Sequence, residues 1–489
     1  ILGESKFSKQ IGAMTKVDAA MIPKPENVHY EKSTGRASFA VDDTLLELIA
    51  KIELENMDSL VKPGDNFMNY VNGTWIRNTE IPADKSSYGI VYKLFEESQD
   101  DVKSIIEESA SGNFPEGSDQ QKVGDLYQSY MDMEKRNELG LAPLKQELMK
   151  VDSIENYNDL ARYFAYAKKI GVGVPLEVFI AQDFKNPTVV TAYTEQGGLR
   201  LPDREYYLKD DERFKGIRAK YVEHIEKMYD LAELPDGKNA AQRIMSLETR
   251  IAEKHLEKEK VRDLVALYNM FPTDTLHNIM PHFNWTAYLK EAGLENQDKL
   301  GVLMLDYTRA LDQIITSTDI DTWKTYLTWG VLRTNSARLN SALDEQNFEF
   351  FSKELYGTPE QRPLWRRGVS VVNGTLGEVV GKVYVKKHFP PEAKERMEGL
   401  VDNLLLAYKE SIEELEWMGE DTRAAALDKL SKFRAKIGYP DVWKAYDVTI
   451  KEDDLFGHPG ARGNLTREHG LMIPDYEEAL GALLKSRGR

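Results

Sequence analysis

The 489-residue chain contains no cysteine, which removes disulfides, thiolate nucleophiles and cysteine-based zinc sites together. No apolar run approaches the ~20 residues that span a bilayer. The start of the chain carries no signal-peptide pattern, but it begins at Ile1 rather than Met. A leader or anchor upstream is therefore left open, and the compartment with it. Histidine is scarce: the eight are His29, His224, His255, His277, His282, His388, His458 and His469. The commonest zinc peptidases need two His at i and i+4 on a helix, so that both imidazoles face one metal, with a Glu beside the first to activate water. No two His here are three or four residues apart, and the closest pair, His277 and His282, has Pro281 between its members. These two read as surface or helix-end residues, and "EKHLEKE" around His255 lacks its second His. A Gly-x-Ser-x-Gly elbow is missing too. The glycines of "GTLGEVVGKV" are spaced wrongly for a phosphate loop, and Lys382 is followed by Val383. Gly377 and Gly381 read instead as small residues that let two helices approach.

Positive charge is in deficit. With 64 Lys and Arg against 81 Asp and Glu, the net charge is −17, so counterion release works against binding nucleic acid or an anionic bilayer. The one basic-aromatic cluster, Arg362, Arg366 and Arg367 around Trp365, reads as a salt-bridged face. What the chain does have is length and 41% hydrophobic residues, enough for a sizeable core and more than one lobe. Residues 1–55 are polar and weakly patterned and are assigned as a leader, with a short helix expected near Thr44 to Ile52. From Tyr92 onward the helical period dominates. Leu94, Phe95, Val102, Ile105 and Ile106 form one stripe, and Val123, Leu126, Tyr127, Tyr130 and Met131 another. Breakers lie between them, and Ser118 or Asp119 is positioned as an N-cap. A long stripe from Met397 through Leu400, Val401, Leu404, Leu405, Tyr408 and Ile412 to Leu415 is approached by Pro390-Pro391 and ended at Gly419. One β signal interrupts: two β-rich runs flank Asp183 to Asn186, predicting a hairpin near 174–194. Asn-x-Ser/Thr sequons stand at Asn72, Asn284, Asn373 and Asn464 and matter only where the source glycosylates.

Five segments carry a resemblance. They are "MDSLVKPGDNFMNYVNGTWIRNTEIPADKSSYG" (57–89), "GGLRLPDREYYL" (197–208), "EKVRDLVALYNM" (259–270), "LWRRGVSVVNGTLGEVVGKVYVKKHFPPEAKERM" (364–397) and "TRAAALDKLSKFRAKIGYPDVWKAY" (422–446). In this order they are similar to the neprilysin and endothelin-converting-enzyme family of zinc metalloendopeptidases, in its bacterial branch, over roughly residues 56 to 457. The resemblance implies a mainly α protein: a large multi-helix cap lobe with a minor β-hairpin, plus the early piece of a thermolysin-like catalytic lobe. On that pattern 56–112 is the early catalytic piece, 113–440 the helical cap, 441–457 a return segment and 458–489 an atypical tail.

The family's activity is hydrolysis of oligopeptides, the cap limiting substrate size, with zinc as cofactor and an extracytoplasmic location, periplasmic or secreted; a cytoplasmic one stays open. The family segment like "KIGYPDVWKAYDVTIKEDDLFG" leads into Asn-Ala-Phe/Tyr, His-Glu-x-x-His and Glu-x-x-x-Asp, and none of these occurs here. The expectation is therefore the N-terminal portion of such an enzyme, with no catalytic or metal residue and no bound zinc of its own. The alternative is a catalytically silent helical module that binds peptides or a partner. Mammalian members hold the substrate carboxylate with an Arg just before the Tyr-Gly of the early signature, where this chain has Ser87. Ser87, Tyr88 and Asn72 are the substrate-cleft candidates that the resemblance supplies. No nucleic-acid partner is expected.

Overall fold

The computed structural model describes residues 28–31, 36–39, 54–446 and 448–456. The helix expected at Thr44 to Ile52, most of the leader and the tail 458–489 lie outside these residues. Among the described residues the chain is mainly helical, as expected, with one small mixed sheet and one short hairpin. It divides into two compact units, one formed by Ile1–Pro82 with Glu378–Ala445 and the other by Ala83–Gly377 with Tyr446–Arg489. This division groups 378–440 with the early residues and 446–456 with 83–377.

The first unit holds an antiparallel hairpin of β1 (Val28–Glu31) and β2 (Arg36–Phe39) and the helix α1 (Phe67–Asn78), whose N-cap Asn66 accepts a hydrogen bond from the Asn69 N–H at 2.9 Å.

The second unit begins with α2 (Ile90–Ser111) and α3 (Asp119–Met131). The Ser118 side chain caps α3 by accepting from the Gln121 N–H at 3.3 Å, the expected role. The two helices approach closely at Gly124, where a Cβ would lie 2.5 Å from the Ser109 carbonyl oxygen. On α2 the apolar stripe is longer than the buried face: Val102, Ile105 and Ile106 are buried, whereas Leu94 and Phe95 are exposed with Ile90, Val91 and Tyr92. Next come α4 (Met133–Leu139), α5 (Lys145–Asp152) and α6 (Tyr157–Lys169).

The predicted hairpin follows, as β3 (Leu176–Gln182) and β4 (Val190–Gln196), antiparallel with Phe179 opposite Tyr193. Its turn is an Asx type, since Asp183 Oδ1 accepts from the N–H groups of Lys185 at 2.8 Å and Asn186 at 3.0 Å. Helices α7 (Glu205–Leu208), α8 (Glu212–Leu231) and α9 (Gly237–Lys254) come next. The hairpin is then widened by two short strands that periodicity cannot show, β5 (Met270–Pro272) and β6 (Lys299–Val302), with α10 (Trp285–Glu291) between them. The sheet order is β3-β4-β6-β5, and the parallel part is confined to Tyr193 and Thr194 opposite Gly301 and Val302. Gly301 is required there, because a Cβ would meet the Tyr193 ring at 2.1 Å.

Helices α11 (Leu305–Thr316), α12 (Ile320–Asn335) and α13 (Ser341–Phe348), a π-helical turn over Glu349–Glu354, and the first half of α14 (Leu364–His388) complete this unit's helices. Helix α14 is kinked at Leu376, whose φ of −123° and ψ of 29° are non-helical. The kink falls one residue before the Gly377 boundary between the units.

The second half of α14, α15 (Pro391–Glu414) and α16 (Glu420–Ser431) belong to the first unit. Two expectations are corrected here. Gly377 has no atom near a would-be Cβ, and Gly381 faces the Trp443 ring at 3.5 Å, so neither glycine serves a helix–helix approach. Gly419 does not end α15, which caps at Leu415; it is the N-cap of α16.

The core sits in the second unit, where Trp323, Trp329, Tyr221, Tyr288, Tyr326 and Phe164 are wholly buried. His224 on α8 is part of it. It stacks on Phe350 at 4.8 Å, and its Nδ1 is 3.1 Å from Gln346 Nε2. Burial, helped by the charges of Arg333 and Lys227, drives its pKa down to about 3, so it is neutral in the folded chain. By contrast α15 and α16 have no buried residue at all, and Met397, Leu404, Leu406 and Tyr408 are exposed.

Two expectations follow. Limited proteolysis cuts 54–82 and 378–445 first and leaves a resistant fragment close to 83–377; equal resistance throughout would show that the first unit has a core. Because His224 is depressed from 6.5 to about 3, its contribution is whole above about pH 6.5 and is lost as the pH falls, at up to about 1.4 kcal/mol per pH unit. His224→Phe flattens that loss in urea denaturation midpoints taken between neutral and mildly acid pH, whereas an unchanged slope would show that the ring is protonated in place.

Candidate functional site

Ser87 and Tyr88 are neighbours on the loop that enters α2, and Asn72 lies on α1 in the other compact unit. Asn72 is half-buried, and its Nδ2 donates to the Met68 carbonyl at 3.4 Å. The Ser87 side chain is exposed. Tyr88 is anchored, its hydroxyl donating to Glu96 Oε2 at 3.1 Å. Glu96 is the hub of this loop: Lys85 Nζ reaches its Oε1 at 2.6 Å, and the Arg366 guanidinium donates to the same oxygen. Burial alone would raise the Glu96 carboxyl, but the hydrogen bonds from Lys85 and Arg366 outweigh it and hold the carboxyl below its usual range. Arg367 pairs with Asp344, which also accepts from Gln361 at 3.0 Å. The basic cluster is therefore salt-bridged through Arg366 and Arg367, while Arg362 is exposed. Trp365 lies under Lys103 at 4.6 Å and Arg366 at 5.0 Å.

A concave surface lies elsewhere in the same unit. Two adjoining cavities of about 820 and 430 Å³ share Arg204, His255, Leu256 and Glu257. Leu267, Leu303, Met304 and Tyr307 give the larger one a buried apolar lining, and the 196–205 segment walls the smaller. The His255 ring lies edge-on to Tyr307 at 4.9 Å, and its Nε2 donates to the Gly197 carbonyl at 3.0 Å. Burial lowers its pKa to about 4, against the pull of that carbonyl. The neutral ring thus ties the wall to the end of α9. Gly198 in that wall has φ +85°, and a Cβ on it would strike the Tyr326 hydroxyl at 2.7 Å, so both backbone and packing demand glycine.

Among the described residues no group of three or more His, Asp or Glu side chains could hold a metal ion. The histidines between 54 and 456 are committed or isolated: His224 and His255 as above, His282 to Asp312 at 2.8 Å, His388 stacked on Tyr384 at 4.8 Å, and His277 exposed. The residues described here do not fit zinc. Sequence reasoning missed Glu96 and a buried carboxylate, Glu248. Glu248 carried a readable signal, since it interrupts the apolar face Ala241, Ile244, Leu247, Ile251 and Ala252 of α9. Glu96 carried none, because its partners are 8, 11 and 270 residues away.

The comparisons agree on one family. The model of peptidase family M13 matches residues 63–440. The chain is 28% identical over 416 residues to membrane metallo-endopeptidase-like 1 of Mus musculus, covering 79% of this chain and 54% of that protein. To mouse endothelin-converting enzyme-like 1 it is 27% identical over 424 residues, with 82% and 54% covered. The chain thus spans about half the length of the curated relatives it matches. Among solved structures, the zinc metalloprotease ZMP1 of Mycobacterium tuberculosis in complex with inhibitor superposes with a TM-score of 0.81 at 34% identity, covering 88% of this chain and 64% of that one. PepO of Lactobacillus rhamnosis, at 17% identity and a TM-score of 0.71, shares the fold.

Glu96→Ala takes the carboxylate from Arg366, whose side chain is 20% exposed, and leaves Lys85 with Asp84 at 3.0 Å as its remaining carboxylate. Chemical denaturation should show a loss of about 1–3 kcal/mol, with Glu96→Gln losing less because it keeps an acceptor for Tyr88. A Glu96→Ala protein as stable as the parent would show that the loop is held by packing instead.

Proposed function

The chain belongs to peptidase family M13, and from that membership we propose that it forms the N-terminal portion of a neprilysin-like zinc metalloendopeptidase that hydrolyses oligopeptides outside the cytoplasm. The observation that carries this reading is the long match over 63–440, which contains three of the five signature segments whole and most of the other two. In this reading 56–112 is the early piece of the catalytic lobe, 113–440 the cap that limits substrate size, and 441–457 the return segment. Asn72, Ser87 and Tyr88 border the substrate cleft. Tyr88 is the best placed of the three to keep a fixed position, being held by Glu96. With Ser87 in place of a cation, the loop offers a neutral hydroxyl to an incoming peptide rather than a partner for its carboxylate.

The apolar side chains left exposed on α2 and α15 support the proposal, because uncovered stripes of this length suit faces made to be packed upon. Zinc is the family's cofactor. Since the residues described here do not fit it, its ligation is assigned to residues other than these. Among the described residues no helix is long and apolar enough to cross a membrane.

The purified chain, incubated with zinc and dialysed, is expected to hold no stoichiometric metal and to leave a fluorogenic peptide uncut. One tightly held equivalent, lost together with cleavage on chelation, would overturn that assignment. Saturable binding of peptide without cleavage would favour the silent binding module. The coding sequence beyond the Gly457 codon, read in all frames, is expected to contain His-Glu-x-x-His.

A further inference from the structure

We infer that the two adjoining cavities beside His255 form a binding site for the last residue of a peptide, with its C-terminal carboxylate on Arg204, its amide N–H on His255 Nδ1 and an apolar side chain in the larger cavity. Arg204 and His255 line both cavities, and both cavities lie within the 83–377 unit.

One carbonyl sets the two side chains next to each other. At the end of α9 the Ala252 carbonyl accepts the His255 N–H at 3.2 Å and Arg204 Nε at 3.3 Å. Each residue is thereby fixed with hydrogen-bonding capacity to spare. His255 Nε2 faces the Gly197 carbonyl at 3.0 Å, and burial keeps the ring neutral. A carbonyl can only accept, so the ring proton sits on Nε2 and Nδ1 carries a lone pair. That nitrogen has no hydrogen-bond partner among the described residues. Arg204 uses Nε on Ala252, and its two Nη groups make no hydrogen bond among the described residues, on a side chain 25% exposed.

The acids on the rim are engaged elsewhere, Glu259 excepted. Glu257 Oε2 pairs with Lys260 at 2.9 Å, and its Oε1 stands 3.7 Å from Arg204 Nη1, beyond hydrogen-bond reach. Glu205 pairs with Lys209 at 2.6 Å, Asp306 lies 3.5 Å from Arg309, and Asp203 and Asp263 accept backbone amides. Arg204 is thus a partly desolvated cation whose fork is open to a carboxylate, the geometry in which a two-bond pair forms.

In the last residue of a peptide the amide nitrogen and the carboxylate hang on the same Cα, so a donor and an anion arrive as neighbours. The side chain on that Cα has a place as well: Leu267, Leu303, Met304 and Tyr307 line the cavity of about 820 Å³, an apolar pocket with a few convergent polar groups. A fatty acid would satisfy Arg204 and the apolar lining but leave Nδ1 unused. An internal stretch of peptide would leave Arg204 without its anion. The inference does not rest on the reading of the chain as part of a peptidase. The site is defined by a free C-terminus and by Arg204, so peptide binding that needs neither belongs elsewhere, whether to Asn72, Ser87 and Tyr88 or to a silent module.

Calorimetric titration of the full chain with acetyl-Ala-Ala-Phe, unblocked at its C-terminus, is expected to show one saturable site. Amidation of that C-terminus should weaken binding about tenfold. Methylation of the Phe nitrogen, which removes the donor to Nδ1, should weaken it by roughly fivefold, and Ala in place of Phe by about tenfold. Decanoate should bind more weakly than the peptide. Arg204→Gln should bind the acid and the amide equally. Equal binding of acid and amide by the parent chain overturns the site, whichever variants fold, and so does discrimination that persists in Arg204→Gln. An N-methylated peptide or decanoate that binds as tightly as acetyl-Ala-Ala-Phe overturns the assignment to a peptide end.

Discussion

A carboxylate with no access to water, placed between buried Arg200 and half-buried Arg333, is the constraint around which the larger unit is organised. Glu248 cannot be left unpaired, because a buried charge without donors costs more than most single contacts return. The chain meets that demand by bringing α7, α8, α9 and α12 to one point, with Tyr207, Tyr221 and Trp329 as linked donors. Arg200 in turn donates to the Gly173 carbonyl at 2.7 Å and lies over the Tyr326 ring at 5.1 Å, which fixes the approach to the sheet. The groove wall inherits its position from this network. Glu248 and His224 pull stability in opposite directions on acidification. A carboxyl raised to about 7 favours the folded state as pH falls toward 4.5, and a histidine lowered to about 3 disfavours it below 6.5. Glu195, also raised to about 7 by burial, adds to the side of Glu248, and His255, lowered to about 4, adds to that of His224.

The two units contrast in what they bury. One has a continuous aromatic and aliphatic core; the other holds α15 and α16 without a single buried side chain, and its tightest contacts are local. Arg77 pairs with Asp58 beside Gly73, Phe389 and Tyr439 meet edge-on at 6.0 Å, and Lys394 donates to the Tyr439 carbonyl at 3.1 Å. Contacts of this kind fix local geometry but remove little apolar area from water. The family membership gives these helices a purpose that their own packing does not.

Much of the fold was legible in the sequence because the signals are periodic and strong. The stripes of α2 and α3, the Ser118 cap and the Asp183 turn of the hairpin are local features, and all four appear where the pattern puts them. Strands β5 and β6 were illegible, since three or four residues hold too few alternations to register, and β6 is recruited by pairing with β4 across a hundred residues on one side and with β5 on the other. Burial was less readable than periodicity. Leu94 and Phe95 satisfy the helical stripe yet stay exposed, because the spacing of apolar residues records which face is sticky and not what covers it. The roles of Ser87, Tyr88 and Asn72 came from resemblance alone. What fixes Tyr88 is Glu96, whose distant partner Arg366 no local pattern announces.

The first unit is built from chain segments that lie on either side of the second, 54–82 before it and 378–445 after it. During synthesis the early segment leaves the ribosome about 300 residues ahead of its partner, which at ~5–20 residues per second is a delay of roughly 15–60 s. The intervening 83–377 can close its core in that time, whereas the first unit waits for its second segment. The order in which the polypeptide is made thus sets the order in which the units can be completed, and the first stays in two parts until residue 445 has been translated.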